Sequence, residues 1–310
     1  MKGLITKATG SWYQILLDDG SSVSCRLPGK FRLDEEEVVN PVAVGDNVQI
    51  TLQKDGTGII DHIEQRKNRL VRKATHGRRG VQLLATNVDL VLIVQSLRDP
   101  GVKTGFIDRL LVTCETYDIP AQIIINKCDL QKNEKDAYTL DHLEELYTDL
   151  GYDFLRTSIH DDHSIAELKS SLGGKISVLT GHSGTGKSSL LNAMSPGLKL
   201  KTGEISSSSN KGKHTTTYAQ LIALSEHTYV VDTPGIREFG LVDLETYELS
   251  LHFPEMRPHR EECRYYNCTH RHEPSCAVKK AVEENLISES RYKSYLSILE
   301  SIETGSDKAL

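Results

Sequence analysis

No run of apolar residues in these 310 positions approaches the length of a membrane-spanning helix, so no membrane partner is expected. The opening residues, MKGLITKATG, lack the apolar stretch that an export signal needs, and the cytoplasm is the expected location. Thiols stay reduced there, so the six cysteines are expected as free thiols or metal ligands and not as disulfides. An excess of positive charge is also missing. The net charge of −6 argues against a uniformly basic nucleic-acid binder and leaves room only for a local basic patch. What remains is ordinary globular composition, 38% hydrophobic and 26% charged, in a chain long enough for two or three domains.

Residues 1–68 lack any long helical period. They read as five short strands, LITKATG, WYQILLDD, SVSCRL, DNVQITL and GIIDHIEQR, broken by Gly- and Asp-containing turns. That pattern suggests a small β-barrel, OB-like or a generic small β domain, and oligonucleotide binding is a common use of the OB fold. From residue 69 the pattern changes. VDLVLIVQS is a continuous apolar strand, and Ile107, Leu110, Leu111 and Cys114 then fall at helical spacing. AQIIIN, DFLRTS, KISVLT and TYVVDT are further strands, alternating with helices that carry Leu140, Leu143, Leu146 and Leu150, then Ile165, Leu168 and Leu172. Such alternation predicts an α/β domain with a mostly parallel sheet over 69–240. A Cys/His cluster and one helical stretch, AVKKAVEENLISESRYKSYLSILESI, make a third small domain over 241–310, and SSSS at 206–209 falls in a polar stretch.

The central domain carries phosphate chemistry. GHSGTGKSS (181–189) sits between a strand and an apolar helix start, the context that a P-loop requires. Gly181, His182, Ser183, Gly184, Thr185, Gly186, Lys187, Ser188 and Ser189 are the candidate phosphate-binding residues. Glycines let the backbone N–H groups curl toward the anion, Lys187 reaches the β- and γ-phosphates, and Ser188 offers a hydroxyl to Mg²⁺. DTPG at 232–235 follows a strand, which makes Asp232 a candidate for the Mg²⁺ shell and the Gly235 N–H a candidate γ-phosphate sensor. NKCD at 126–129 ends its own strand. A carboxylate at Asp129 accepts from both guanine N1–H and the exocyclic amine. Asn126 ties the loop and meets the base edge, and Lys127 lays its stem over the ring. Thr157 and Ser158, at the next strand end, add a backbone N–H for the guanine oxygen. In NKGKHTTTYAQL (210–221), Thr216 is the candidate for Mg²⁺ and γ-phosphate, with Thr215 and Thr217 as rivals and a Thr-rich strand start as the plainer reading.

The order of these motifs is unusual. The base reader comes first, then the P-loop, the Thr segment and DTPG, as in a G domain whose chain has been cut and rejoined. Each motif sits at a strand end, so one sheet can be assembled through different connections. DTPG then feeds the metal domain directly, a junction through which nucleotide state would pass as an order–disorder change.

In the metal domain, CRYYNCTHRHEPSC places Cys263, Cys268, His270 and Cys276 at C-x₄-C-x-H-x₅-C spacing, with half of the cysteines inside fourteen residues. Four soft N/S ligands suit a closed structural Zn²⁺ site, with His272 and His259 as rival ligands. Cys25, Cys114 and Cys128 stand alone as packing residues. RKNRLVRKATHGRR (66–79) holds seven Lys/Arg and no acid; it reads as a linker, solvated or in contact with nucleic-acid phosphates. Tyr265 and Tyr266 either stack on bases or pack the metal loop.

Across nearly its whole length the chain resembles the circularly permuted GTPases of the RsgA type, the YjeQ/YloQ family of small ribosomal subunit biogenesis GTPases. The resemblance rests on NKCD ahead of GHSGTGKSS, on KHTTT, on DTPG and on the cysteine cluster. It implies an OB-like barrel, a permuted P-loop GTPase domain and a zinc-binding tail. It also implies GTP hydrolysis to GDP and phosphate, stimulated by the small (30S) subunit and its 16S rRNA during late maturation, with GTP/GDP, Mg²⁺ and one Zn²⁺ per monomer. Ras-like proteins place a water-orienting Gln just after the DxxG glycine, whereas Ile236 stands there here. His214 is then the internal candidate for catalysis, alongside Lys187 and Thr216, and the resemblance implies the same role for it; a solvent-exposed loop His is the plainer reading. Arg237 is a candidate for charge stabilisation or for partner contacts. An RNA-binding module that uses GTP only as an affinity switch is the alternative function. A P-loop kinase or ATPase is a third, against which Asp129 argues.

Overall fold

The computed structural model describes residues 1–29, 40–73, 80–200, 218–233 and 244–304. Five strands build its N-terminal part: β1 (Lys2–Ala8), β2 (Tyr13–Leu17), β3 (Ser22–Arg26), β4 (Asn47–Leu52) and β5 (Gly58–Ile63). Tyr13, Ile15 and Leu17 are buried and alternate with less buried neighbours along β2, the two-residue period of a strand with one face in the core. β1 pairs with both β2 and β4, β2 with β3, and β3 with β5, which closes the barrel.

The next two strands, β6 (Arg69–Lys73) and β7 (Val81–Thr86), pair antiparallel. The reading of 66–79 as a linker is therefore corrected at 69–73, which form a hairpin strand. The strand signal is hidden because both faces are covered there: Leu70 joins the main core and Val71 a separate one with Ala43 and Leu83, so alternation is lost. Several of the basic residues have partners within the fold. Arg66 grips the buried Asp46 at 2.7 and 2.9 Å and the Pro41 carbonyl at 2.6 Å, Lys67 pairs with Asp89, and Arg72 bonds Gln82. Arg69 is exposed, while Arg78 and Arg79 lie outside the described residues.

The central layer runs β8 (Leu90–Ser96), α1 (Thr104–Thr116), β9 (Ala121–Asn126), α2 (Glu134–Asp149), β10 (Asp153–Arg156), α3 (Asp162–Ser171), β11 (Ile176–Thr180), α4 (Lys187–Met194), β12 (Ala219–Ser225) and β13 (Thr228–Asp232). Its strand order is β10-β9-β8-β11-β13-β12. All neighbours are parallel except β12 and β13. β8 is buried along its whole length because both of its faces are covered. Val91 and Ile93 share one core with Ile107, Leu110 and Leu111 of α1, while Leu90, Leu92 and Val94 share another with Leu168 of α3 and Leu190 of α4. In this arrangement the C-terminal ends of β9, β10, β11 and β13 open along one edge of the sheet, where α/β folds bind ligands.

β12, whose start overlaps the strand given above as the plainer reading of 210–221, extends the layer at its other margin. It pairs on one side with β13 and on the other with β1, Lys7 opposite Gln220 and Ala8 opposite Ala219. Barrel and central layer therefore share one continuous eleven-stranded sheet.

The C-terminal part holds α5 (Arg257–Arg260), α6 (Ala277–Glu283) and α7 (Glu289–Thr304). The single helical stretch expected there is divided, with Asn285 in the left-handed region (φ 59°) just past α6. Leu249, Phe253, Met256, Val278, Tyr295 and Ile298 form its core and include Val112 of α1. An ionic cluster locks this part to the central layer. Arg291 of α7, 1% exposed, donates to Asp108 of α1 at 2.6 Å and to Glu255 at 2.7 Å, and Tyr147 of α2 donates to the same Asp108 oxygen at 2.8 Å. Among the described residues no helix is long and apolar enough to cross a membrane.

Candidate nucleotide and metal sites

The phosphate cradle forms where β11 ends. Gly181 (φ 150°), Gly184 (φ 84°) and Gly186 (φ 92°) occupy backbone conformations that L side chains rarely adopt. Space also demands glycine at two of them. A Cβ at Gly181 would lie 2.1 Å from the Val94 carbonyl, and one at Gly186 would lie 2.3 Å from Asn126 Nδ2. Lys187 and Ser188 open α4 and are both buried. Lys187 Nζ donates to the carbonyls of Gly181 at 2.7 Å and His182 at 2.6 Å, which holds the ammonium at the mouth of the loop. His182 packs its ring on Phe106 of α1 at 4.2 Å between centroids. Burial, then the charges of Lys103 and Lys187, lower its pKa below the usual histidine value, which keeps the imidazole neutral beside the cradle. Ser183 and Ser189 complete the segment in sequence.

The base-reader loop reaches the cradle through one side chain. Asn126, 2% exposed at the end of β9, donates from Nδ2 to the Thr185 carbonyl at 2.9 Å, and its Oδ1 accepts from the Thr157 hydroxyl at 3.1 Å. Backbone bonds from Thr157 N–H to Ile125 and from Cys128 N–H to Thr157 join the same two strand ends. Lys127 takes a left-handed conformation (φ 61°) and sends its ammonium to the Asp99 carbonyl across the β8–α1 connection. The Ser158 hydroxyl donates to Asp129 Oδ1 at 2.6 Å and so orients that carboxylate, while its own N–H meets Ser164 Oγ at 3.3 Å. The structure thus brings together Asn126, Lys127, Asp129, Thr157, Ser158 and the P-loop, although 59 positions separate Asn126 from Thr185.

Asp232 ends β13, next to β11, so it stands one strand from the cradle and accepts from Gln220 Nε2 at 3.2 Å. A hydroxyl at Ser188 and a carboxylate at Asp232 are the hard oxygen donors that magnesium takes. His214, Thr216, Gly235 and Ile236 lie outside the described residues. Sequence reasoning named Thr185 for the phosphates without foreseeing that its carbonyl ties the cradle to Asn126, and it missed Phe106 and Gln220. Neither of the last two carries a signal apart from its tertiary contacts.

The second constellation is at the C-terminal part. One ligand atom each from Cys263, Cys268, His270 and Cys276 lies within 4.8 Å of the others. His270 turns Nδ1 inward, 3.4 Å from Cys276 Sγ and 3.6 Å from Cys263 Sγ. Three thiols and an imidazole nitrogen so converged fit a tetrahedral zinc ion, which would be held with the thiols ionised. The loop is tied from outside. Burial pushes the Glu273 carboxyl up, but hydrogen bonds, first from the Thr269 N–H and hydroxyl, outweigh that and bring it to about 2. Tyr292 and Tyr295 of α7 donate to the His270 and Thr269 carbonyls, both at 2.7 Å. His272 engages Glu273 through its N–H at 3.1 Å, and neither it nor His259 belongs to the ligand group among the described residues. Tyr265 and Tyr266 are 41% and 89% exposed, which favours a surface role over packing. Cys25 and Cys114 are buried free thiols, and Cys128 is half-buried.

Comparison with known proteins gives the family. Residues 63–242 match the family model described as RsgA GTPase, and residues 2–60 match the RsgA N-terminal domain. A protein from Bacteroides thetaiotaomicron, named small ribosomal subunit biogenesis GTPase RsgA 2, is 47% identical over all of this chain and 99% of its own. A Bacteroides fragilis protein, small ribosomal subunit biogenesis GTPase RsgA, is 46% identical over the same shares. Among solved structures, YjeQ from Thermotoga maritima superposes with a TM-score of 0.79 at 36% identity, covering 97% of each chain. YloQ, titled a circularly permuted GTPase, gives 0.75 at 32% identity over 99% of this chain and 96% of its own.

Proposed function

This chain belongs to the RsgA family of GTPases, and on that premise we propose that it hydrolyses GTP in a cycle stimulated by the small ribosomal subunit, as a late maturation factor for that subunit. The observation that carries the nucleotide site is the Asn126–Thr185 bond, which fixes a guanine-reading loop against a phosphate cradle in spite of the permuted order.

In this reading Asp129, held by Ser158, accepts the paired guanine donors, and Lys127 lies along the ring. The residues from Gly181 to Ser189 wrap the phosphates with backbone N–H groups. Lys187 exchanges its carbonyl partners for phosphate oxygens and neutralises charge on them. Ser188, Asp232 and Thr216 hold magnesium, and Gly235 senses the γ-phosphate. Magnesium held there would supply positive charge to the phosphate oxygens. His214 holds the attacking water, the position where Ile236 supplies nothing polar.

The barrel (1–68), the G domain (69–240) and the zinc domain (241–310) divide the work. Cys263, Cys268, His270 and Cys276 hold one structural zinc. The barrel, the exposed Arg69 of the hairpin and the exposed Tyr265 and Tyr266 contact 16S rRNA of the 30S subunit, with the chain acting as a cytoplasmic monomer.

Nucleotide choice tests the site. GTP and GDP are expected to compete for a fluorescent GDP analogue while ATP does not. Asp129→Asn is expected to shift preference from guanine toward xanthine nucleotides. ATP competing as well as GTP, or an unchanged preference in the variant, would remove the guanine assignment.

A further inference from the structure

We propose that Gln220 is a positioning residue for the magnesium side of the nucleotide site, and that the barrel strand β1 holds it there. Three residues form one row across three strands. Lys7 of β1 stands opposite Gln220 of β12, and Gln220 stands opposite Asp232 of β13. Directly opposed residues on antiparallel strands point to the same face, so the three side chains share a side of the sheet. Along that row Gln220 Nε2 donates to Asp232 Oδ2 at 3.2 Å. The bond occupies a lone pair on one carboxylate oxygen and leaves the other oxygen aimed by the amide. A metal-ligating carboxylate needs this kind of outer support to keep its orientation.

What fixes Gln220 comes from outside the G domain. Its strand is held on one side by β13 and on the other by the barrel. Two positions earlier on the same face, Tyr218 lies under the Lys7 ammonium, 4.1 Å from the ring centroid, a cation–π contact that pins the start of β12 to β1. A displacement of the barrel therefore moves Gln220, and with it Asp232. By linkage, whatever grips the barrel changes the affinity for magnesium and nucleotide, and the nucleotide changes the grip by the same factor.

The inference rests on the reading of Asp232 as a magnesium ligand, and the test separates the two. The full chain and its Gln220→Ala, Asp232→Asn and Lys7→Ala variants are titrated with magnesium while binding of a fluorescent GDP analogue is followed, with a parallel measurement in excess EDTA. Gln220→Ala is expected to raise the magnesium concentration at half-effect about tenfold, the usual result of losing an outer-shell partner. Asp232→Asn raises it further, and Lys7→Ala raises it about threefold through the weaker cation–π contact. Affinity in EDTA stays native in Gln220→Ala and Lys7→Ala, whereas general damage to the fold would lower it. A native magnesium curve for Gln220→Ala beside a shifted one for Asp232→Asn overturns the positioning role. A native curve for Lys7→Ala overturns the barrel's part in it. A native curve for Asp232→Asn overturns the magnesium reading and the inference together.

Discussion

Replacing Asn126 by Ala removes its two side-chain hydrogen bonds among the described residues, to Thr185 at 2.9 Å and Thr157 at 3.1 Å. Both partners are sealed from water, Thr185 at 0% and Thr157 at 1% exposure. A buried polar group stripped of its partner costs about 1–3 kcal/mol, so the variant is destabilised at the site by roughly 2–6 kcal/mol. Part of this appears as loss of folding stability. The rest appears as disorder between two loops that nucleotide must reorder. Assigning only about 1.4 kcal/mol to the second gives a tenfold weaker GDP affinity. Asn126→Asp sharpens the test. It keeps an acceptor for Thr157 but sets a carboxylate oxygen against the Thr185 carbonyl, and is expected to bind at least as weakly as the Ala variant. Thr157→Val leaves the Thr185 bond intact and is expected to cost about threefold, one neutral hydrogen bond at the low end of its range. Equilibrium titration with a fluorescent GDP analogue, at fixed magnesium and salt, measures all three. A folded Asn126→Ala chain within twofold of native affinity would refute the reasoning.

Other consequences follow from single contacts. Gly186→Ala forces a Cβ to 2.3 Å from Asn126 Nδ2 at a φ of 92°, so nucleotide binding falls by more than tenfold in the same titration while the barrel keeps its fold. Arg291→Ala leaves Asp108 and Glu255 buried without their cation and is expected to cost about 3–5 kcal/mol, read from denaturant titration; a loss under about 1 kcal/mol would mean that water replaces the guanidinium. Cys276→Ser is expected to abolish stoichiometric zinc content and expose the 263–276 loop to protease while GDP binding persists; a native digestion pattern without zinc would show that the loop folds without metal.

The residues that read clearly in the sequence are those whose backbone chemistry is local. GHSGTGKSS announces its positive-φ glycines, and Ile107, Leu110, Leu111 and Cys114 announce a buried helix face that the structure keeps. The four zinc-type ligands were legible because thiols rarely cluster without a use. Other features depend on partners far along the chain. Arg291 looks like a surface cation in SRYKS, yet it is among the most buried side chains, because Asp108 and Glu255 arrive from 183 and 36 positions away. β6 was concealed because its two faces are both covered, and β12 by a Thr-rich run whose pairing with the barrel no local pattern encodes. Gln220 is an unremarked polar residue until the register places it opposite Asp232.

The central claim is a GTPase cycle answered by the small ribosomal subunit, and turnover measures it directly. GTP hydrolysis is followed with and without purified small subunits at two salt concentrations. The account predicts slow turnover alone, since Ile236 cannot orient water, and a large stimulation by subunits that weakens as salt rises, since phosphate contacts release counterions. Tight GTP binding with no stimulation at either salt would contradict it.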